Sequence, residues 1–363
     1  MKNSHIEWTD HTFNPWIGCT KVSPGCAHCY AEALNKRWKK GENWGKGASR
    51  VRTSAAYWKQ PLQWNAEAEN YRRCLICGAE TDFGVNAEGF CDQCEQKADV
   101  IRPRVFCASL ADWLDDEVPI EWLADLLKLI HDTPNLDWLL LTKRPQNWAD
   151  RIAAVWKDCD APFLRDWEED YLVGWLEGRA PDNIRIGTSV ENQEMADERI
   201  PNLLEIPARV RFLSCEPLLE EVDLYRVRGA LMEGAETCHR GIAHDERKCD
   251  CAFGVDWVIC GGESGPGARP MHPDWARSLR DQCQAAGVPF FFKQWGEWYP
   301  LAPGRLVGFD SNIEMVLPDA SEYDRKTLAP ENAQPMIRDG KRVAGRELDG
   351  REWNELPKAE VPA

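Results

Sequence analysis

Apolar runs of four to seven residues recur along the chain, and most are followed by polar, helix-forming sequence. Thr12–Gly18, Val105–Ser109, Trp138–Lys143, Ile184–Val190, Val210–Cys215, Trp257–Gly261 and Val288–Lys293 read as strands. Runs without alternation suit strands covered on both faces, and hence a parallel sheet. Between them, Trp122, Leu123, Leu126, Leu127 and Ile130 share one helical face. Another helix is marked at both ends, by Pro273 at its start and Gly287 past its end, with Trp275, Leu279, Cys283 and Ala286 on one face. Helix formers also follow Tyr30 up to Gly41, follow Arg144-Pro145, and fill Met195–Leu204. Strand-helix units in this number predict an α/β fold, a complete or partial (β/α) TIM-like barrel over residues 1–299, in preference to a doubly wound sheet. The dinucleotide fingerprint of a doubly wound sheet is broken: Gly265-Pro266-Gly267 begins like one, but Pro270 stands at its third glycine.

Three stretches depart from this rhythm. Within residues 65–103, Cys74-x-x-Cys77 and Cys91-x-x-Cys94 are two knuckles separated by thirteen residues. Together they offer closed tetrahedral sulfur coordination, as in an inserted structural zinc ribbon. Within residues 229–254, Cys238, His239, His244, Cys249 and Cys251 could supply a further zinc site, or the stretch could be a polar loop, because the spacing fits no zinc pattern. Residues 300–363 form an extension rich in Pro, Gly and charge, in which Met336–Ala344, with Asp339-Gly340 at its centre, reads as a β-hairpin.

The densest chemistry lies between the first strand and the first helix. Cys19, Cys26 and Cys29 are separated by six and by two residues, with Gly18, Pro24 and Gly25 bending the backbone among them. Three thiolates can be aimed at one point there while a fourth position lacks a protein ligand. A structural zinc site wants four protein ligands, whereas an iron–sulfur cluster with one exchangeable position suits three.

Composition narrows the setting. Fifteen cysteines in a chain of 363 residues, with no signal-peptide core at the N-terminus, point to a reducing, cytoplasmic compartment with metal ligands and free thiols in place of disulfides. No apolar run approaches the roughly 20 residues of a membrane helix. The formal net charge of −16 argues against a protein that grips nucleic acid mainly through phosphates, and leaves a local basic groove open. Polar residues recur where the strands end: Ser109 and Asp112, Lys143 and Arg144, Ser189 and Glu191, Ser214 and Glu216, Glu263 and Ser264, Lys293 and Gln294. In a barrel these gather at one mouth, together with the cysteine loop.

The stretches NPWIGCTKVSPGCAHCYAE (14–32), LTKRP (141–145), SVEN and SCEPLLEEVDL within 188–224, WVICGGESGPGARPMHPDW (257–275), FFFKQWGEW (290–298) and LDGREWNELP (348–357) closely resemble a phage and prophage protein family of unknown function with a three-cysteine motif. That family in turn resembles the radical S-adenosylmethionine enzymes, which bind a [4Fe–4S] cluster through three cysteines after the first strand of a (β/α) barrel. The resemblance implies that Cys19, Cys26 and Cys29 hold the cluster and that S-adenosylmethionine binds its open iron. Reductive cleavage there gives a 5′-deoxyadenosyl radical that takes hydrogen from a substrate. His28 and Tyr30 would touch the cofactor, and Gly261-Gly262-Glu263 is similar to the element that holds its amino group. The spacing of six and two differs from the usual three and two, and the glycine-glycine-glutamate element follows a late strand instead of the second. Lys143, Arg144, Glu216 and Lys293 are the candidate catalytic residues; Cys215 and Cys260 are either hydrogen donors near the mouth or, as the preferred reading, buried structural cysteines.

A nucleotide or nucleic acid is the expected substrate class under a phage setting, with a phage-encoded protein as a candidate partner and no membrane. The competing expectation is a non-catalytic adaptor with zinc in every cysteine group. A hydrolase working through the acidic mouth residues is a third, unsupported by any HExxH, nucleophile elbow or phosphate loop.

Overall fold

Seven parallel strands lie side by side in chain order in the structure, a computed structural model. They are β1 (His11–Thr12), β2 (Arg104–Cys107), β3 (Asp137–Thr142), β4 (Ile184–Ser189), β5 (Val210–Cys215), β6 (Trp257–Gly261) and β7 (Phe290–Gln294). The structure describes residues 4, 6–39, 42–68, 72–73, 90, 92, 99–100, 102–158, 169–231, 254–301, 312–321, 330 and 332–357. Cys74, Cys77, Cys91, Cys94, Cys238, His239, His244, Cys249 and Cys251 lie outside the described residues. The flanks of both interrupting stretches are visible. Arg72–Arg73 pairs antiparallel with Asp99–Val100, and Val255 N–H donates to Ala230 O at 2.9 Å, so each stretch leaves and returns at adjoining points.

The sheet curls. Trp8, just ahead of β1, stacks edge-on to Phe106 of β2 at 4.7 Å between ring centroids and to Trp257 of β6 at 6.1 Å. In a flat sheet those strands would stand about 19 Å apart, four spacings of about 4.8 Å. One indole can touch both only if the sheet wraps around it. The inner face is a small apolar cluster of Trp8, Phe106, Leu139, Phe212, Trp257, Ile259 and Phe291. Gly187 of β4 makes room for it, since a Cβ there would meet the Phe212 ring at 2.3 Å.

Helix α1 (Tyr30–Lys39) follows the cysteine loop, and the outer face packs under the helical stretches Ala55–Trp58 and Gln60–Ala68 and under α2 (Ile120–His131), α3 (Trp148–Asp158), α4 (Gln193–Glu205) and α5 (Pro273–Ala286). Leu123, Leu126, Leu127 and Ile130 of α2 are buried there as their spacing predicts, with Trp122 partly covered. Around α5, Gly287 takes the left-handed conformation (φ 69°) that closes a helix, and His272 caps the start by accepting from Asp274 N–H at 3.1 Å.

Closure into a complete barrel does not occur: β1 pairs with β2 and β7 with β6, and no ladder among the described residues joins β7 to β1. The free edge of β7 is occupied by the C-terminal segment instead. Phe292 N–H donates to Trp353 O at 2.9 Å, Glu355 N–H to Phe290 O at 3.3 Å, and Phe291 bridges Asn354 antiparallel. With its backbone groups paired in this way, the edge is no longer available to another strand. The fold is a mixed α/β half-barrel.

Two sequence expectations change. The first strand is shorter than Thr12–Gly18, because Asn14-Pro15 ends it. The Asn14 side chain turns back to accept from Leu110 N–H at 2.8 Å, and Trp16–Ile17 pairs with Val51–Arg52. The hairpin expected over Met336–Ala344 does not form. Gly340 makes a turn with φ 88°, but a short helical turn at Lys341–Ala344 follows. The strand before it, β10 (Gln334–Arg338), already has a partner on each side, β8 (Trp298–Pro300) and β9 (Ile313–Val316). No helix among the described residues is long and apolar enough to cross a membrane.

Candidate functional site

Alternation along the strands decides which residues reach the mouth. Counting outward from the inner cluster, Leu139 leads to Leu141 and Lys143, Gly187 to Ser189, Phe212 to Ser214 and Glu216, and Phe291 to Lys293. These polar ends converge. Lys143 Nζ donates to Ser189 Oγ at 2.9 Å, and Lys293 Nζ sits 2.8 Å from both carboxylate oxygens of Glu216. Gln294 Nε2 donates to Glu216 Oε1 at 3.2 Å and to Ser264 Oγ at 3.0 Å.

The cysteine loop lies across this mouth. It leaves β1 through Gly18, whose φ of 119° and whose missing Cβ, which would meet Asn43 O at 2.4 Å, admit no other side chain without strain. From there the loop is tied to the ends of four strands. After β2, Ser109 O accepts from Tyr30 Oη at 2.6 Å. After β3, Arg144 Nη2 donates to Thr20 O at 2.9 Å, and its two terminal nitrogens lie 3.7 and 3.8 Å from Cys19 Sγ. After β4, Glu191 Oε1 accepts from Gly25 N–H at 3.2 Å. After β6, Glu263 Oε2 lies 3.1 Å from His28 Nδ1, and Arg269, held by Glu263 at 2.6 Å, donates to Pro24 O at 3.1 Å.

Buried charge holds these ties in place. Asp112 accepts from Thr142 Oγ1 at 2.7 Å, Lys143 N–H at 2.8 Å and Arg144 Nη1 at 2.9 Å, which fixes the guanidinium against Cys19. Glu191 pairs with Arg199 at 2.9 Å, and Arg50 pairs with Asp115 at 2.8 Å while reaching Thr20 Oγ1. Burial and the nearby Asp112 carboxylate push the Cys19 thiol up to about 12, against the pull of Arg144. Burial also raises the Cys29 thiol, with Lys143 close enough to favour its thiolate. For Glu263, burial works to raise the carboxyl, but the hydrogen bonds from Arg269 and His28 outweigh it and hold the group below its ordinary range.

This geometry sorts the candidates. On the inner face of the mouth Lys143 is bound to Ser189 and Lys293 to Glu216, while Arg144 is committed to Asp112 and Cys19. His28, Tyr30 and Glu263 are brought to the loop, where they anchor it. Gly262 has a packing role: a Cβ there would meet Trp295 O at 1.9 Å, and one at Gly296 would meet Glu263 O at 2.1 Å, so the loops after β6 and β7 cross backbone to backbone. Gly261 lies against Glu216, whose Cγ is 3.4 Å from its would-be Cβ. Cys215 and Cys260 point the other way, into the helix-packed core with Cys283, and burial raises both thiols.

Arg269, Arg199 and the Arg50–Asp115 pair are the residues of this candidate site that sequence reading missed. Nothing local marks Arg269, since one of its partners, Pro24, is 245 positions away.

Three soft sulfur donors, half-buried, with a guanidinium on one and an ammonium near another, suit an anionic iron–sulfur cluster, whose charge and sulfur hydrogen bonds the protein must balance. Among the described residues no group of three His, Cys, Asp or Glu side chains is gathered to hold a single metal ion.

The chain belongs to the family described as "Protein of unknown function (DUF5131)", which matches residues 3–357. No curated protein and no solved structure matches it.

Proposed function

We propose that this family member is a radical-S-adenosylmethionine-like iron–sulfur enzyme, with a [4Fe–4S] cluster held by Cys19, Cys26 and Cys29 at the mouth of the half-barrel. The observation that carries the reading is the exposure and placement of these three thiols. Of the seven described cysteines, Cys19, Cys26 and Cys29 are half-buried on a loop tied to four strand ends, whereas Cys107, Cys215, Cys260 and Cys283 are fully buried. When bound, such a cluster supplies the electron that cleaves S-adenosylmethionine reductively, the starting point for hydrogen abstraction.

The chain's own residues have separate tasks under this reading. Arg144, Glu191 and Arg269 hold the loop, and the curled sheet with Trp8 at its centre closes the inner face below the mouth to water. Lys143, Ser189, Glu216 and Lys293 remain as the polar groups of the inner mouth that orient cofactor and substrate. Cys74, Cys77, Cys91 and Cys94 hold a structural zinc ion, on the strength of their spacing.

The test is anaerobic purification, reconstitution with iron and sulfide, and electron paramagnetic resonance after reduction. A reduced-cluster signal that shifts when S-adenosylmethionine is added, and that is missing in Cys26→Ala, is the expected result. Zinc at all the cysteine groups, with no cluster assembling, sinks the proposal in favour of the adaptor reading.

A further inference from the structure

Beside the C-terminal end of β7 lies a cavity of about 360 Å³ whose outer part the chemistry above leaves without a use. Its lining comprises Glu7, Lys293, Gln294, Lys341, Arg342, Gly345 and Arg346. Four cations face one carboxylate there, in a chain whose formal net charge is −16. Acidic chains do not collect like charges in one place without cost, because the cations repel one another.

Two of these cations are in internal ion pairs, Lys293 with Glu216 at 2.8 Å and Arg346 with Glu352 at 3.8 Å, and the other two are left for a ligand. Lys341 and Arg342 are exposed and make no ion pair or side-chain hydrogen bond among the described residues. Arg346 is held in position, with its guanidinium carbon 5.2 Å from the centre of the Phe291 ring and its Nη2 on Asn354 Oδ1. At the inner end, Lys293 and Gln294 are the same side chains that grip Glu216 in the mouth. The cavity therefore runs from the exposed Lys341 and Arg342, past the anchored Arg346, to the polar residues of the candidate active site.

We propose that this cavity binds the phosphate groups of the substrate, an inference that rests on reading the mouth as an active site. Three basic side chains from one six-residue stretch, two of them forked guanidinium groups, match the several oxygens of a di- or triphosphate better than a single carboxylate. A volume of about 360 Å³ is in the range of small-molecule sites. The same phosphates can belong to a free nucleotide or to a nucleic-acid strand, and the test separates the two.

Calorimetric titrations of the full chain with sodium tripolyphosphate, adenosine triphosphate and a single-stranded deoxyoligonucleotide about twelve nucleotides long, each at low and high salt, provide it. Tripolyphosphate is expected to bind and to weaken as salt rises. In Lys341→Glu/Arg342→Glu its affinity falls at least about tenfold, less so in the milder Lys341→Gln/Arg342→Gln. Lys157→Glu, an exposed charge reversal on α3, leaves it unchanged. Tighter binding of the oligonucleotide than of the triphosphate assigns the phosphates to a strand, and the reverse assigns them to a nucleotide. No binding by any of the three, or equal weakening by Lys157→Glu, overturns the proposal. The cluster signal is read on the same samples. A normal signal without phosphate binding defeats this inference alone, and phosphate binding with no cluster defeats the radical reading alone.

Discussion

Cys215 and Cys26 mark two ways of treating a thiol within one fold. Cys215 ends β5 on the outer face, fully buried among apolar side chains with Cys260 and Cys283, and burial raises its thiol. Cys26 stands on the mouth loop with Ser23 Oγ 3.8 Å from its sulfur, and its neighbours Pro24 and Gly25 are bound by Arg269 and Glu191. The first environment is a solvent for a small neutral side chain. The second invests buried Asp, Glu and Arg side chains in fixing a backbone whose sulfurs remain reachable. Charged groups cost free energy to bury unless they are paired, so their concentration around one loop is the mark of a site that must keep its shape.

The sharpest way to break this comparison is to truncate each thiol. Cys26→Ala is expected to abolish the reduced-cluster signal entirely while leaving the urea unfolding midpoint of the unreconstituted protein almost unchanged. Cys215→Ala is expected to keep the signal and to lose about 1 kcal/mol of stability from the small cavity it leaves. If the two variants behave alike in the resonance spectrum, the distinction between the two sets of cysteines is void.

Removing the clamp should act next most strongly. Arg144→Gln leaves Asp112 in a site where its side chain is 7% exposed, with its other hydrogen bonds intact. The expected loss is about 3 kcal/mol, the low end for breaking a buried pair. It should also free the loop around Cys19, so that the loop's backbone amides take up deuterium label faster than in the wild type. Unchanged labelling would mean that the guanidinium stabilises the fold without holding the loop.

Much of the scaffold could be read in the chain, and the reasons for the gaps are physical. Strand cores such as Trp138-Leu139-Leu140-Leu141 are apolar throughout, which announces a doubly covered strand but hides which residues face inward. The face of Cys215 and Cys260 was therefore undetermined until Trp8 revealed the inner cluster. The polar strand ends were legible as a set, and they do converge. Their division of labour was not, because Arg144 and Lys143 are adjacent in sequence and differ only in which long-range partner they meet, Cys19 or Ser189. Sheet closure was equally hidden. It depends on whether β7 finds β1 or the segment around Trp353, and local pattern contains no information on that choice. The turn at Asp339-Gly340 was readable, but its consequence depended on partners already taken on both sides of β10.

The finest probe of the loop's anchoring is electrostatic. Glu263 receives Arg269 through two carboxylate oxygens and His28 through one, and its carboxyl is held below the ordinary range by those bonds despite burial. A carboxylate with a depressed folded pKa adds stability that is complete above its unfolded value, near 4.3, and is lost as pH falls through the folded value. Glu263→Gln keeps the shape and removes the charge, so it should cost about 1–2 kcal/mol at neutral pH. Because the wild type alone loses this contribution in acid, the gap between the two should close as pH drops below about 4. Urea midpoints measured from pH 7 to pH 3 read that gap directly. A gap that stays constant across the range would show that Glu263 acts through shape alone, and the anchoring of Pro24 would then have to come from Arg269 without its carboxylate.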